Sequence, residues 1–306
     1  SGQVSIRWIE NKMNQKMNTI LKTEGKDYVI ASDTDSIYLH MGDLVDAVYK
    51  GREKTTEGIV TFLNKVCEME LEPYIESSYQ ELADYVNAYD QKMIMKRENI
   101  ADRGIWTAKK RYILNVWDSE GVRYEQAKLK IMGIEAIKTS TPAPCRTMLK
   151  DAFKLLMTGT EDEVIDYIEK CRSEFKNFPP EEVGFPRSVN NLQKYKGVSD
   201  IYNKGTPINV RGALLFNHYI KKNNLEHKYS AIQNGEKIRF CYLKTPNWMH
   251  ENVISYIQDL PKELDLHKHV DYDLQFEKAF LEPIKVILNC IGWETERKNT
   301  LESFFS

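Results

Sequence analysis

The stretch KDYVIASDTDSIYLH, Lys26–His40, joins two short apolar runs through a polar tip. The runs, 28–31 and 37–39, are rich in β-branched and aromatic residues, which predicts the two strands of a hairpin. The tip carries Asp33 and Asp35 one residue apart. Two carboxylates this close repel each other unless a proton or a cation holds them, and carboxylate oxygens favour hard cations such as Mg²⁺ or Mn²⁺. The alternative is ordinary turn chemistry, because aspartate readily bonds its own backbone in a turn.

The composition is that of a globular protein large enough for two domains. The chain has 306 residues, of which 42% are hydrophobic and 29% are charged. No apolar run approaches the roughly 18 to 20 residues that a membrane span needs, and no signal peptide is recognisable, so we expect no membrane partner and a cytoplasmic location. Five scattered cysteines without CxxC spacing favour reduced thiols over a disulfide framework or a zinc site.

The net charge of −2 hides two basic blocks. Residues 92–130 contain ten Lys or Arg against five Asp or Glu, and residues 187–222 contain seven against one. A single block of this kind is also explained by a solvated helix face. Two basic blocks that carry tyrosines, in a chain that is otherwise acidic, favour two patches for one anionic ligand.

The hydrophobic periodicity predicts a chain that mixes helices with strands. The first segment is helical up to Gly25, and residues 55–86 are helical with Pro73 as a kink or break. Three segments, MIMKREN, IWTAKKRYILNVWD and VRYEQAKLKIMG, are rich in strand-forming residues, and the turn DSEG predicts a hairpin between the last two. Two amphipathic helices follow at 146–157 and 161–175, then an irregular segment, 177–206, and a last strong helix in DLQFEKAFLEPIKVILNCIG.

Several motifs, in one order along the chain, resemble family B DNA polymerases, and most closely the replicative polymerases of T-even-type phages. The Asp-Thr-Asp-Ser tip is similar to the metal-binding hairpin of that family, and GQVSIRWIENKMN resembles the palm helix before it. IWTAKKRYILNVWDSEGVRY resembles the palm sheet with its Lys-Lys-Arg-Tyr signature. KLKIMGIEAIKTSTP is similar to the junction between palm and thumb, and TPINVRGALLFNHYI resembles a thumb segment.

The resemblance implies an α+β fold. Half of a polymerase palm, an antiparallel sheet with packed helices, would be followed by a mostly helical thumb. The implied domains are 1–138 for the C-terminal part of the palm, 139–292 for the thumb and 293–306 for a tail that binds the sliding clamp.

The resemblance also implies roles for individual residues. Asp35 corresponds to a metal ligand, Asp33 to its companion near the primer end, and Glu98 to an accessory carboxylate, for which a plain charged strand residue is the alternative. The implied contacts with primer–template duplex are Lys109, Lys110, Arg111 and Tyr112 in the signature, and Lys194, Lys196 and Arg211 in the thumb. Lys and Arg suit this task because they neutralise phosphates or donate to minor-groove acceptors that every base pair offers.

One departure from the family concerns the residues before the first aspartate. The family has Tyr-Gly there, whereas this chain has Ala31 and Ser32. We therefore expect a tyrosine contact near the primer end to be lost and the backbone to tolerate Ser32 less well than glycine.

Three parts of a complete polymerase are missing from the sequence. They are the second metal-binding aspartate in an Asp-x-x-Ser-Leu-Tyr-Pro motif, the helix whose lysine binds the incoming dNTP, and the exonuclease motifs. We expect this chain to be inactive alone and to polymerise by two-metal chemistry only with an N-terminal piece that carries the exonuclease and the remaining palm and fingers. A natural split subunit is favoured, and a product of protein splicing and a cropped fragment stay open.

The last residues, NTLESFFS, resemble the family's clamp-binding tail, with Leu301, Phe304 and Phe305 as anchors, unless these aromatic residues fold back onto the thumb. Two other functions stay open. A metal-dependent glycosyltransferase would need a parallel nucleotide-binding sheet before the aspartates, where only about 30 residues stand. A non-catalytic module that binds DNA and a sliding clamp would share every basic patch. A truncated palm sheet is also expected to expose apolar surface at its cut edge.

Overall fold

The computed structural model describes residues 2–298. It contains antiparallel sheets and packed helices, which confirms the expected α+β class. The chain divides into two compact units between Met132 and Gly133. The assignment of these units to palm and thumb stays a prediction. No helix within the described part of the chain is long and apolar enough to cross a membrane.

The first unit combines four helices with two antiparallel sheets. Its helices are α1 (Gly2–Leu21), α2 (Gly42–Val48), α3 (Thr56–Val66) and α4 (Glu72–Tyr85), and its strands are β1 (Val29–Ser32), β2 (Ile37–Leu39), β3 (Asn99–Ala108), β4 (Arg111–Ser119) and β5 (Val122–Met132). β1 pairs with β2, and β3, β4 and β5 form a three-stranded meander in chain order. The two hairpins predicted from the sequence are therefore both present.

The predicted first helix is confirmed as α1, and it lies in the core of this unit. Ile9, Met13 and Met17 recur every four residues, so they lie on one face, and all three are fully buried. They pack with Tyr28 at the start of the aspartate hairpin and with residues of α4 such as Tyr79. The aspartate hairpin therefore packs against α1, which is the longest helix among the described residues.

The helical path through residues 56–85 does not break at Pro73. A π-helical turn, Cys67–Leu71, joins α3 to α4, and Pro73 is among the first two residues of α4. The Glu72 backbone N–H bonds to the Cys67 carbonyl oxygen across this turn, so the helical path is continuous up to Pro73. The predicted kink or break therefore corresponds to a π-helical turn just before the proline and not to an interruption of the helix.

The prediction of a strand in MIMKREN is also wrong. Residues 86–98 contain neither helix nor strand, and β3 begins only at Asn99. Strand propensity is decided by packing and pairing, and this segment finds no strand to pair with among residues 2–298.

The segment before β3 is instead held in place by one buried network of ion pairs and hydrogen bonds. Arg97 donates from Nη1 to Asp118 at the end of β4 and from Nη2 to Asn64 of α3, at 2.6 Å. Arg123 of β5 donates to the same carboxylate at 3.1 Å, and the Arg97 backbone N–H donates to Glu72 of α4 at 3.1 Å. The Asp118 side chain is 2% exposed. The network therefore links two helices, the segment before β3 and the β4–β5 hairpin.

The second unit contains seven helices among its described residues and one antiparallel sheet. The helices are α5 (Ala143–Thr158), α6 (Glu161–Phe175), α7 (Pro180–Val183), α8 (Leu192–Tyr195), α9 (Ile208–Lys222), α10 (Tyr272–Phe276) and α11 (Glu282–Cys290), and the strands are β6 (Phe185–Ser188), β7 (Lys237–Tyr242) and β8 (Val253–Tyr256). The sheet order is β6-β7-β8. The predicted amphipathic helices are confirmed as α5 and α6, whereas this sheet was not predicted.

The segment 177–206 is less irregular than its prolines and glycines suggest, because it contains α7, β6 and α8. Beyond it, α9 lies directly on β8. A Cβ added at Gly212 would come within 2.3 Å of Ser255 Oγ and 2.8 Å of the Ser255 backbone nitrogen. A glycine at this position is therefore what allows the helix to approach the strand so closely.

We predict that Asp118→Asn destabilises the protein by about 3 kcal/mol, because it leaves the two arginines without their buried counter-charge. The measurement is urea unfolding followed by circular dichroism. Asp46→Asn is the matched control, since Asp46 forms an exposed ion pair with Lys54 and should change stability by less than about 0.5 kcal/mol. Equal effects of the two substitutions would contradict the role of the network.

The same network predicts a pH dependence. Burial raises the pKa of Asp118, but hydrogen bonds from Arg97 and Arg123 outweigh it, and the pKa lies below its ordinary value. A carboxylate with a lowered folded-state pKa stabilises the fold above its unfolded pKa of about 3.9, and that stability is lost as pH falls through the folded value. The stability advantage of the wild type over Asp118→Asn should therefore be full at pH 6 and should shrink below about pH 4.

Candidate functional site

The aspartate tip lies at the end of the β1–β2 hairpin. Ser32 pairs with Ile37, and the Asp33 backbone N–H donates to the Ser36 carbonyl oxygen at 2.9 Å, which closes the tip. Asp35 lies within the turn that this bond closes, and its side chain is exposed. It has no hydrogen-bond or ion-pair partner among residues 2–298.

Asp33 is already engaged within its own turn. Its Oδ1 accepts from the Thr34 backbone N–H at 2.7 Å and lies 3.8 Å from Lys110 Nζ. The Thr34 N–H is the largest cause that holds the pKa of Asp33 below its ordinary value, and the charges of Lys110 and Lys109 act in the same direction. Asp33 is thus a stable carboxylate with a basic neighbour, whereas Asp35 is available for a ligand.

Ser32 does not strain the backbone. It lies within β1, where extended backbone suits any residue. The expectation that this position tolerates serine less well than glycine is not met in the structure.

The Lys-Lys-Arg-Tyr signature forms the turn between β3 and β4. Lys109 and Lys110 are exposed at its tip, and Arg111 and Tyr112 begin β4. Lys110 has φ of +60°, in the left-handed region. The sheet therefore presents the two lysines together at one end.

Aromatic packing brings this turn and the aspartate tip together. Tyr38 of β2 lies edge-on to Trp106 of β3 and to Tyr112 of β4, with ring centroids 5.3 and 5.5 Å apart. Burial raises the pKa of Tyr38, and a hydrogen bond with Tyr112 raises it further. Both hairpins thus share one aromatic cluster, which fixes the distance between their tips.

A depression of about 420 Å³ lies between the two tips. Its walls are the end of β1, the aromatic cluster and the lysine turn, and its lining residues include Ala31, Asp33, Trp106, Lys109 and Lys110. It combines an apolar floor with two ammonium groups and one carboxylate at the rim. Two ammonium groups beside one carboxylate give this rim a net positive charge, which favours an anionic ligand.

Tyr112, the last residue of the signature, is buried in the three-stranded sheet. Its side chain is only 7% exposed and packs in the sheet with Leu114 and Val116. Its ring lies edge-on to Tyr38 and so supports the aspartate hairpin, and its expected contact with duplex DNA stays a prediction. Arg111 is half-buried at the start of β4.

Glu98 lies just before β3 rather than within a strand. Its side chain is 62% exposed, and Oε2 lies 3.8 Å from Lys130 Nζ. Its charge also contributes, after burial and the hydrogen bond with Tyr112, to the raised pKa of Tyr38, so it is near the aspartate hairpin. Nevertheless, no three His, Cys, Asp or Glu side chains within residues 2–298 are grouped so that they could hold a metal ion.

A second basic surface lies in the other unit, on α8 and the loop after it. Lys194 and Lys196 are exposed, and so is Lys204 at the far end of the loop. The loop is ordered by a backbone bridge between Lys196 and Tyr202, and a Cβ added at Gly197 would come within 2.1 Å of the Asp200 carbonyl oxygen. Lys204 was not predicted as a site residue, although the seven-to-one charge ratio of this block included it.

Arg211 supports this loop and does not project freely from it. Its Nη1 lies 3.2 Å from Glu251 Oε2, and its guanidinium lies over the Tyr202 ring at 5.6 Å. The Tyr202 hydroxyl donates to the other oxygen of Glu251 at 2.7 Å. The charge of Arg211 is therefore paired with Glu251 within the protein, and its expected contact with DNA stays a prediction.

The tail expected to bind a clamp is described only at its beginning. Arg297 lies 2.6 Å from Asp166 and 3.8 Å from Asp162, both on α6. The three predicted anchors, Leu301, Phe304 and Phe305, lie outside the described residues.

Comparison with known proteins finds two phage polymerases that are similar to this chain. The DNA-directed DNA polymerase of Escherichia phage RB69 is 33% identical to this chain over 317 residues, which cover 99% of the chain. The DNA-directed DNA polymerase of Enterobacteria phage T4 is 30% identical over 318 residues, again 99% of the chain. Over almost its whole length this chain therefore matches T4-type phage DNA polymerases. No family model matches it.

The match confirms the resemblance inferred from the motifs. The chain spans about 35% of the length of the two phage polymerases, as expected for a part of such an enzyme. Most of the length of these two polymerases has no counterpart in this chain, so the comparison alone does not give the chain their activity.

We predict that Lys110→Met raises the pKa of Asp33, because it removes the nearest positive charge while the Thr34 hydrogen bond stays. The measurement is a pH titration of the Asp33 carboxyl carbon by nuclear magnetic resonance. Lys54→Met is the control, since Lys54 pairs with Asp46 instead. An unchanged titration of Asp33 in Lys110→Met would show that the two tips do not meet in solution.

Proposed function

We propose that this chain is the C-terminal palm-and-thumb part of a DNA-directed DNA polymerase, which extends a primer 3′ end only with the N-terminal polymerase part. The observation that carries the proposal is the meeting of the Asp-Thr-Asp tip with the Lys-Lys-Arg-Tyr turn, with Lys110 Nζ 3.8 Å from Asp33 Oδ1. These two motifs are 74 positions apart in sequence, counting from Asp35 to Lys109, yet they line one depression. A polymerase site needs acidic and basic groups side by side, for the metal and for the DNA.

The donor set fits a divalent metal in part. Asp35 offers an exposed carboxylate with no partner among the described residues, which is the ligand type that Mg²⁺ or Mn²⁺ prefers. Asp33 is held by Thr34 and Lys110, so we assign it to the primer end and not to the metal. Glu98 is the accessory carboxylate. A bound Mg²⁺ supplies charge neutralisation at the transferring phosphate and activation of the primer hydroxyl.

The remaining ligands would come from the N-terminal part. Residues 2–298 offer no set of three metal-binding side chains, and the sequence lacks the motif that carries the second aspartate. We therefore propose that the complete site forms only between the two parts. The dNTP would be bound largely by the N-terminal part.

The duplex would be held from both units of this chain. Lys109, Lys110 and Arg111 would meet the DNA beside the active site, and Lys194 and Lys196 would meet it along the thumb. Tyr112 and Arg211 would act indirectly, the first by supporting the aspartate hairpin and the second by ordering the loop that carries the lysines. Binding of a sliding clamp through residues 301–305 is proposed on the sequence resemblance alone.

We predict that Asp35→Ala lowers primer extension by roughly a thousandfold in the reconstituted enzyme, because a metal ligand contributes several kcal/mol to the transition state. The assay mixes this chain, the polypeptide of the same phage that matches the rest of the two relatives, primed template, Mg²⁺ and dNTPs. Each chain alone is expected to be inactive, and Asp46→Ala is the control aspartate.

Two results would count against this assignment. Full extension with Asp35→Ala would favour a non-catalytic module that binds DNA and a clamp. Extension by this chain alone would show that the described residues and the tail hold a complete site.

We predict that Lys194→Gln with Lys196→Gln weakens binding to primer–template duplex at every sequence. The slope of log K against log salt concentration should become less steep by about 1.8, since each phosphate contact contributes about 0.9. The control pair is Lys176→Gln with Lys268→Gln, because these lysines already pair with Asp273 and Asp265. An equal change of slope in both pairs would mean that the loop has no special part in binding.

A further inference from the structure

Residues 85–95, which we call the strap, expose an unusual amount of apolar surface. They begin at Tyr85, the last residue of α4, and precede the anchor at Arg97. Five large apolar side chains of the strap are exposed: Tyr85, Val86, Tyr89, Met93 and Ile94. Tyr85 is 79% exposed, Ile94 is 82% exposed, and Tyr89 is fully exposed. Scattered single apolar residues need no explanation, but a contiguous group marks an interaction site.

The strap is held in place at both ends and is not a free tail. At its start, the Tyr85 ring stacks on Trp8 of α1 at 6.4 Å, and the Ala88 backbone N–H donates to the Ala83 carbonyl oxygen at 2.8 Å. At its end, Met95 packs against the core of the first unit, and Arg97 enters the buried ion network. The exposed side chains are thus presented from a fixed base.

The charges of the strap favour a protein surface over nucleic acid. Its only charged residues are Asp90 and Lys92, which lie 3.9 Å apart and balance each other. A surface for DNA or RNA would need a net positive charge to neutralise phosphates. The strap is neutral, although basic residues are dense just after it.

The length of the relatives indicates what this partner is. The two phage polymerases carry the counterpart of this chain within a polypeptide of which it is about 35%. Most of the surface that would pack around this unit in such a polymerase is therefore outside this chain. The strap carries five of the eleven exposed large apolar residues in the described part of the first unit, and it lies close in sequence to Glu98.

We propose that the strap is the docking surface for the N-terminal polymerase part, with Tyr89 and Ile94 as its central anchors. This inference rests on the proposed function, and it names the residues through which the two parts associate. Docking there would place the N-terminal part close to Glu98, because only Lys96 and the anchored Arg97 separate Glu98 from the strap.

The test compares two double variants of the full chain. Tyr89→Ser with Ile94→Ser removes the anchors, and Met69→Ser with Val122→Ser removes two other exposed apolar side chains of the same unit. The probe is the polypeptide of the same phage that matches the rest of the two relatives. Its Kd for each variant is measured by calorimetry, together with primer extension at saturating probe and the duplex affinity and melting temperature of each variant alone.

The strap variant is expected to raise the Kd by about tenfold or more, because it lacks the proposed central anchors. The control variant is expected to raise the Kd by less than about twofold. Extension should recover at saturating probe, and duplex affinity and melting temperature should match the wild type. Equal Kd values for both variants would overturn the proposal. A lower melting temperature of the strap variant alone would also overturn it, because the strap would then pack within this chain.

The remaining outcomes separate the docking surface from the proposed function. If the wild-type chain binds the probe through the strap but no primer is extended, docking stands and the polymerase assignment fails. If the wild-type pair extends primers and the strap variant binds equally well, only the docking surface fails. Absence of any complex overturns both. Loss of self-association in the strap variant, with unchanged probe binding, would assign the strap to a second copy of this chain.

Discussion

The buried carboxylate of Asp118 is the constraint on which the first unit depends. A charge with 2% exposure is costly in itself, and it is retained because Arg97 and Arg123 both donate to it. Since Arg97 also bonds Asn64 and Glu72, the helices, the segment before β3 and the β4–β5 hairpin are fixed relative to one another. Removing Asp118 would leave Arg97 and Arg123 without their shared counter-charge, and removing the Arg97 side chain would also break the bond to Asn64, so these elements are stabilised together.

The candidate site follows from a second, apolar constraint. Tyr38 can pack on Trp106 and Tyr112 only when the aspartate hairpin lies against the end of the three-stranded sheet. The side chains that carry charge, Asp33 and Lys110, then meet as a result of that packing. Their attraction at 3.8 Å on an exposed rim is weak, so the aromatic cluster and not the ion pair supplies the positioning.

The sequence predicted those parts of the molecule whose signal is local. α1, the two hairpins, α5 and α6 follow from periodicity and turn residues, and the family motifs located the aspartates and the lysines. Local sequence patterns could not give the features that long-range contacts decide. The apolar residues of 93–95 suggest a strand but find none to pair with among residues 2–298. The burial of Tyr112 follows from strand register, and the ion pair of Arg211 is formed with Glu251, 40 residues later. The β6–β7–β8 sheet joins segments separated by α8 and α9, so no short window contains its signal.

Lys110 stands where the backbone would prefer another residue. With φ of +60° it occupies a conformation that costs most side chains about 1 kcal/mol, and that glycine or asparagine adopts at little cost. The turn thus gives up some stability to keep an ammonium group at the rim of the depression. Conformational preference and charge compete at this one residue, because a substitution by glycine would relax the turn and also remove the ammonium group from the rim. The first unit is therefore less stable at this turn than its backbone alone would allow.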